Sequence, residues 1–199
     1  MTRASDTIIA EIQLLLSVRD TPLAVALDGR SGAGKSNLAA AIAVALGGSV
    51  VDADDFFTNG PDAEWEARST EAKVADALDW RRLRAQALEP LLAGQVASWH
   101  PFNFLTRIGL DDRLETCAPS AVIILDGAYC SRPELADLID FSVLVEAQDE
   151  VRQKRLIARE GEDFMRSWHA IWDAAEDHYF AHVRPRESFD LIVTSDSEE

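Results

Sequence analysis

Basic residues are scarce in this chain of 199 residues. It contains 19 Lys and Arg against 35 Asp and Glu, which gives a formal net charge of −16 at pH 7. A protein that binds DNA or RNA must neutralise the phosphate backbone with a basic surface, and the sequence has no sustained run of Lys or Arg. The charge balance therefore argues against a nucleic-acid polymer as the partner.

Cysteines and long apolar runs are also few. Cys117 and Cys130 are the only cysteines, which excludes a disulfide framework and a Cys-rich zinc site. The longest apolar runs, such as residues 121–125, are far shorter than the ~20 residues that cross a bilayer. Within residues 1–20, the apolar residues that follow Ser5 and Asp6 are spaced as in a helix. They do not form the unbroken apolar core of a signal peptide. We therefore expect a cytoplasmic protein without a membrane partner.

The sequence does contain short apolar runs that alternate with segments of helical spacing. Its length and composition favour one globular domain over residues 1–199, ending in an acidic tail at 195–199. Buried strands are predicted at 23–27, 49–52, 122–125, 141–145 and 191–193. Helices are predicted at 36–46, 132–138, 149–160 and 163–183, with one or two more in 70–92. Residues 53–69 are predicted as a surface loop, and 95–119 receive no assignment. The alternation predicts an α/β fold with a mainly parallel sheet covered on both faces.

The strongest motif is the segment from Gly29 to Ser36, which matches GxxxxGK[ST] at every fixed position. It follows an apolar strand and opens an Ala-rich helix, which is the setting that a phosphate-binding loop requires. Lys35 is predicted to reach the β- and γ-phosphates, and the Ser36 hydroxyl to hold Mg²⁺. The residues predicted to contact the nucleotide are Gly29, Arg30, Ser31, Gly32, Ala33, Gly34, Lys35, Ser36 and Asn37.

Short acidic and aromatic segments follow the second and third predicted strands. Residues 51–57 have the sequence Val-Asp-Ala-Asp-Asp-Phe-Phe, residues 123–127 have Ile-Ile-Leu-Asp-Gly, and Asp79-Trp80 precedes a long helix. Together with the phosphate loop, these segments resemble the uridine kinase and nicotinamide riboside kinase family of P-loop nucleoside kinases. The similarity extends over most of residues 22–195.

This resemblance implies a three-layer fold with strand order 2-3-1-4-5 and the first strand at the centre. It also implies that Asp54 is the base on the acceptor hydroxyl, with Phe56 and Phe57 near the acceptor. Asp126 is expected near Mg²⁺, and Asp79 in the segment that contacts the acceptor. Asp52 and Asp55 are expected to be structural or solvated.

Three arginines lie at i, i+3 and i+7 on the helix predicted at 149–160. Arg152, Arg155 and Arg159 therefore form one stripe in a chain that is poor in basic residues. The resemblance implies a lid at about 150–166, and Arg155 and Arg159 are the candidates to neutralise the transferred phosphoryl group. The alternative is a solvated helix face whose arginines pair with nearby glutamates.

Aromatic residues suggest further contacts. Trp99 and His100 are candidates to contact the acceptor, in a pocket built from residues 54–65 and 99–107, although His100 could equally pack its loop. One helix is predicted to pack against the sheet through Trp168 and Trp172, at i and i+4, together with Tyr179.

The sequence therefore predicts an enzyme that uses ATP and Mg²⁺ to phosphorylate a hydroxyl group of a small molecule. A nucleoside or nucleoside-like acceptor is favoured. Pantothenate, a sugar or an antibiotic are alternative acceptors, and a P-loop ATPase or switch without a metabolite acceptor is the alternative from another class. The oligomeric state stays open.

Overall fold

The chain folds around one parallel β-sheet. The computed structural model describes residues 3–195, except the side chains of Asp62 and of residues 164–170. The strands of the sheet are β1 (Leu23–Asp28), β2 (Ser49–Asp52), β5 (Val122–Asp126), β6 (Phe141–Glu146) and β7 (Leu191–Thr194). Two shorter strands, β3 (Ala97–Trp99) and β4 (Glu115–Cys117), form a separate antiparallel pair.

The strand order of the large sheet is β2-β5-β1-β6-β7, and every neighbouring pair is parallel. When only the strands of this sheet are counted, the order is 2-3-1-4-5 with the first strand at the centre. The predicted α/β class, the five-stranded parallel sheet and its order are therefore confirmed.

Helices cover both faces of the sheet. They are α1 (Arg3–Leu16), α2 (Lys35–Leu46), α3 (Asp62–Ala67), α4 (Thr70–Asp76), α5 (Trp80–Leu83), α6 (Glu89–Leu92), α7 (Asp149–Glu160) and α8 (Glu162–His178). A π-helical turn, Arg84–Leu88, joins α5 to α6, and another, Tyr179–Val183, extends α8. In the part of the chain that the structure describes, every helix is too short or too polar to cross a bilayer.

The central strand β1 is buried along its whole length, as its unbroken apolar sequence predicts. Because successive side chains point to opposite faces of a sheet, β1 contributes to two cores. Leu23, Val25 and Leu27 pack with α1 and α2, whereas Ala26 packs on the other face with the α5–α6 segment and the β3–β4 pair.

Three segments differ from their sequence-based predictions. The loop predicted at 53–69 contains a short 3₁₀ turn, Ala53–Phe56, and helix α3. The segment 95–119, which had no assignment, contains β3 and β4. Its strands have only three residues each, so they are too short to show the alternation that marks a strand. The helix predicted at 132–138 is a single 3₁₀ turn, Pro133–Leu135.

A buried carboxylate holds the end of β1 in place. Asp28 has no exposed surface and accepts five hydrogen bonds. Its Oδ1 accepts from the backbone N–H groups of Gly29 (2.7 Å) and Tyr129 (3.0 Å). Its Oδ2 accepts from the Ser131 N–H (3.0 Å), the Ser131 hydroxyl (2.6 Å) and the Tyr179 hydroxyl (2.9 Å). Asp28 thus joins the loop after β1, the loop after β5 and the turn that extends α8.

We expect Asp28→Asn to destabilise the fold by more than about 2 kcal/mol, because an amide NH₂ would face at least one buried backbone N–H in either orientation. Urea denaturation of the variant measures this loss. The control is Asp112→Asn, which removes a charge from an exposed side chain. Equal denaturation midpoints for the two variants would contradict a role for Asp28 in holding the fold.

Candidate active site

The loop between β1 and α2 has the close backbone packing that its glycines predict. Gly29 has φ = +151°, and a Cβ at this position would lie 2.3 Å from the carbonyl oxygen of Val145, so a side chain is excluded. The Lys35 ammonium donates hydrogen bonds to the carbonyl oxygens of Gly29 (2.9 Å) and Arg30 (3.2 Å). The loop therefore holds a cation against its own backbone.

A cavity of about 400 Å³ lies beside this loop, and we call it the phosphate cavity. Six of the nine residues predicted to contact a nucleotide line it, namely Ser31, Gly32, Gly34, Lys35, Ser36 and Asn37. Arg30 and Ala33 line a different cavity, on the side of the loop that contains Phe180. Gly29 lies at the base of the loop, against Val145.

Carboxylates from two neighbouring strands border the phosphate cavity. Asp52 at the end of β2 pairs in register with Asp126 at the end of β5, and Asp54 follows two residues after Asp52. Gly127 allows this approach, because a Cβ on it would lie 2.6 Å from the Cβ of Ala53. Parallel register thus brings three aspartates to the carboxyl edge of the sheet, opposite Lys35.

Asp126 has the properties of a cation ligand. Its side chain is buried, and its Oδ1 has no hydrogen-bond partner among the described residues. Burial raises the pKa of this carboxyl group, whereas Lys35 and the adjacent Ser36 hydroxyl lower it. Hard oxygen atoms of this kind suit Mg²⁺, which keeps several waters and also binds substrate phosphates. Accordingly, the described residues contain no group of three or more ligands that would enclose a metal on its own.

Asp54 lies where two cavities meet. It lines the phosphate cavity and also a second cavity of about 140 Å³, in which Arg159 is another shared residue. Asp54 is exposed to the cavities, but the surrounding protein reduces its hydration and so raises its pKa, whereas Lys35 lowers it. Asp126 raises this pKa further, and Arg159 lowers it. Asp54 is thus a carboxyl group held between cations and another acid.

The three arginines of α7 have different contacts. Arg152 is buried behind the loop, where it donates to the Ser31 carbonyl oxygen (2.8 Å) and pairs with Glu176 (3.4 Å). Arg155 lines the phosphate cavity and donates to Gly32 (3.3 Å). Arg159 lines both cavities.

Arg155 and Arg159 make further contacts outside the cavities. Arg155 also donates to the Ser195 hydroxyl (3.0 Å), just after β7. Arg159 is largely exposed and forms an ion pair with Glu160. Arg155 and Arg159, the two arginines proposed as catalytic, are therefore the ones that reach the cavities, whereas Arg152 braces the loop from behind.

The second cavity, which we call the aromatic cavity, has mostly apolar walls. Its rings come from Phe57, Phe104, Tyr129 and Trp172. Phe57 is central, with ring centroids 5.2 Å from Trp172 and 6.3 Å from Phe104. The cavity can therefore surround a molecule of small size with flat apolar surfaces next to the Asp54 carboxyl group.

Of the residues predicted to contact an acceptor, the structure brings Phe57 to this cavity. Phe56 is fully buried in the core, 5.3 Å from the Trp99 ring. The Trp99 indole donates to Asp55 Oδ2 (2.7 Å). Neither residue lines the aromatic cavity.

Asp79 and His100 also lie outside the cavity lining. Asp79 caps α5 by accepting a hydrogen bond from the Arg82 N–H (3.1 Å). The His100 Nδ1 lies 3.1 Å and 3.0 Å from the carbonyl oxygens of Asp111 and Arg113, so this ring packs its own loop.

Several lining residues are not among the site residues predicted from the sequence. Tyr129 follows the end of β5 by three residues, and Trp172 and Glu176 lie one helical turn apart on α8. Trp172 was predicted to pack against the sheet but lines the cavity instead, while Tyr179 is buried beneath it. The side chain of Trp168 lies outside the described residues. The i, i+4 spacing was the only available signal, and it is equally typical of a packing face.

Comparisons with known proteins agree with this geometry. Residues 24–197 match the model of the phosphoribulokinase / uridine kinase family. A uridine kinase of Ligilactobacillus salivarius is 28% identical over 89% of this chain and 87% of its own length. A uridine kinase of Halobacterium salinarum is 27% identical over 81% of this chain and 71% of its own.

Solved structures share the fold. A possible uridine kinase from Bacillus stearothermophilus superposes with a TM-score of 0.67, at 20% identity over 95% of this chain and 96% of that one. A putative fructose transport system kinase from Silicibacter sp. TM1040 superposes with a TM-score of 0.72, at 20% identity over 97% of this chain and 99% of that one. The chain therefore belongs to the phosphoribulokinase / uridine kinase family, and it is a kinase that phosphorylates an alcohol group of a small molecule.

Proposed function

We propose that this chain transfers the γ-phosphoryl group of ATP to a hydroxyl group of a neutral small molecule that contains a ring, with a nucleoside as the favoured acceptor. The observation that carries this proposal is the wall shared by the two cavities, which consists of Ser31, Asp54, Ala128 and Arg159. A γ-phosphoryl group held at the phosphate loop would meet a hydroxyl group bound in the aromatic cavity at this wall, next to Asp54. Such positioning supplies much of the catalysis of phosphoryl transfer.

Each residue of the phosphate cavity has a separate task. The loop backbone and Lys35 bind the β- and γ-phosphates, and Arg159 neutralises charge that develops on the transferred group. Ser36 and the buried Asp126 are the residues that would hold Mg²⁺. When bound, Mg²⁺ neutralises the phosphate oxygens and aligns them for transfer.

Asp54 acts on the acceptor. Its carboxylate accepts the proton of the acceptor hydroxyl as that oxygen bonds to the γ-phosphorus, and the bond between the γ-phosphorus and the leaving ADP oxygen breaks. Desolvation raises the pKa of Asp54 overall, and Lys35 and Arg159 oppose this rise and so favour the ionised form that this role requires.

The charges of the aromatic cavity favour a neutral acceptor. Asp54, Glu160 and Glu176 line it, and Arg159 is the only basic residue among the described residues that do so. Arg159 is already paired with Glu160. An anionic acceptor such as pantothenate or a sugar phosphate would meet like charges here.

The rings favour a flat acceptor. Phe57 and Trp172 offer apolar faces suited to stacking against a planar ring such as a nucleobase. The two curated relatives are called uridine kinases, which makes uridine the first compound to test. Acceptor-dependent release of ADP from Mg-ATP, measured with uridine, cytidine, D-fructose and pantothenate, tests the proposal. Turnover of a nucleoside supports it, and turnover of pantothenate alone would contradict it.

We expect Asp54→Asn to lower kcat by about 10²–10⁴, because the variant keeps the shape of the side chain but cannot accept the proton. Its affinity for Mg-ATP should stay near that of the wild type. Steady-state kinetics with the acceptor found above measure the loss. Asp55→Asn is the matched control, since the Asp55 side chain faces Trp99 and not the cavity. A variant Asp54→Asn with near wild-type turnover would remove Asp54 from the reaction.

We expect Lys35→Ala to abolish the stabilisation that Mg-ATP gives to the fold. A ligand at about 100 times its Kd adds about 2.7 kcal/mol to the wild type, because it binds only the folded state. Thermal denaturation with and without Mg-ATP measures the effect. Lys73→Ala, on α4, is the control and should respond like the wild type. Equal shifts in wild type and Lys35→Ala would place the nucleotide elsewhere.

We expect the metal-free protein to lose stability as the pH rises from about 4 to about 7. Loss of hydration beside the neighbouring carboxylates, and then the charge of Asp54, raise the pKa of Asp52 from 3.8 to about 7, although this residue keeps an exposed surface. Because this pKa is higher in the folded than in the unfolded chain, ionisation of Asp52 opposes folding. Between about pH 5 and about pH 9, the melting temperature should fall less for Asp52→Asn than for the wild type. If the melting temperature of Asp52→Asn fell as much as that of the control Asp112→Asn, the assignment would be contradicted.

A further inference from the structure

Tyr129 occupies a strained position in the wall of the aromatic cavity. Its φ is +64°, in the left-handed region that residues with a side chain rarely adopt. The conformation is held from behind, because the Tyr129 N–H donates to Asp28 (3.0 Å) and the next-but-one residue, Ser131, donates to the same carboxylate. The fold thus fixes the direction of this side chain through a backbone conformation that is unfavourable in free energy. Strain of this kind is concentrated at functional sites.

The hydroxyl group of Tyr129 has no hydrogen-bond partner among the described residues, although the side chain is buried, with 5% of its surface exposed. Burial and the nearby Glu176 raise the pKa of Tyr129 well above 10, so the phenol is a neutral O–H group. A buried polar group without a partner destabilises a folded protein and therefore requires an explanation.

Tyr179 provides the contrast. Its ring packs edge-on against that of Tyr129, with centroids 4.9 Å apart, and it is also buried. The Tyr179 hydroxyl donates to Asp28 (2.9 Å). Of these two neighbouring phenols, the one without a protein partner is the one that lines the aromatic cavity.

We infer that the Tyr129 hydroxyl donates a hydrogen bond to an oxygen atom of the acceptor and thereby determines acceptor specificity. This inference rests on the proposed function, because it takes the aromatic cavity as the acceptor site. The acceptor then has two polar points, the reacting hydroxyl at Asp54 and a second oxygen at Tyr129, on a ring that packs against the surface formed by Phe57 and Trp172. Alcohols that lack the second oxygen are poor substrates.

The test compares Tyr129→Phe with the matched control Tyr179→Phe. With uridine and Mg-ATP, Tyr129→Phe should raise the KM for uridine by about 3–10-fold, the effect of one neutral hydrogen bond. The KM for ATP should not change, and the melting temperature should be equal to or higher than that of the wild type. Tyr179→Phe should lower the melting temperature, because Asp28 loses a donor, and leave the KM for uridine within about twofold.

Analogues of uridine identify the oxygen. The 2′-deoxy, 3′-deoxy and 4-deoxy compounds each lack one oxygen atom. For one of them, the kcat/KM of the wild type should be lower than its kcat/KM for uridine. The factor should be about the one by which Tyr129→Phe lowers kcat/KM for uridine. That analogue should lose nothing further with Tyr129→Phe, since the two changes remove one interaction. Additive losses for all three analogues would exclude these three oxygen atoms as the partner, and an unchanged KM of Tyr129→Phe for uridine would overturn the inference.

Two results separate this inference from the proposed function. If the wild type phosphorylates a nucleoside but Tyr129→Phe keeps its KM and melts at a lower temperature, the hydroxyl is a structural group and the inference alone fails. If the wild type phosphorylates none of the compounds, the proposed function fails, and the inference fails with it because it takes the aromatic cavity as the acceptor site.

Discussion

The carboxylate of Asp28 is the contact on which the geometry of both cavities depends. It ends the central strand, and its two oxygen atoms accept hydrogen bonds from Gly29 at the start of the phosphate loop and from Tyr129 and Ser131 after β5. The Tyr179 hydroxyl brings the end of the α8 segment to the same point. A buried charge is tolerated only when it is well hydrogen-bonded, so these three segments are held in one arrangement.

An acidic protein needs local cations to bind a polyphosphate. The net charge of −16 repels a nucleotide, and the phosphate cavity offsets this with Lys35, Arg155 and Arg159. Arg152 contributes indirectly, because it joins the Ser31 carbonyl to the buried Glu176. Glu176 in turn accepts from the Ser31 N–H (3.0 Å). The loop residue that both cavities share is therefore fixed by helices α7 and α8.

The sequence predicts well those parts of the molecule whose structure is determined by residues that are adjacent in the chain. The phosphate loop follows from eight consecutive positions, and the strand ends that place Asp54 and Asp126 follow from short apolar runs. Tyr129, Trp172 and Glu176 meet only through tertiary packing, and their local patterns are equally typical of core residues. Likewise, the stripe of Arg152, Arg155 and Arg159 does not reveal which guanidinium group turns behind the loop.

The aromatic cluster around Phe57 has an optical consequence. The indole rings of Trp65 and Trp172 lie 4.9 Å apart and both contact Phe57, and Trp172 lines the aromatic cavity. Among the described residues that line the phosphate cavity there is no tryptophan. Since indole emission responds to the polarity of its surroundings, a molecule that displaces water from the aromatic cavity changes the surroundings of Trp172. The intrinsic fluorescence of the protein thus reports on the occupation of this cavity.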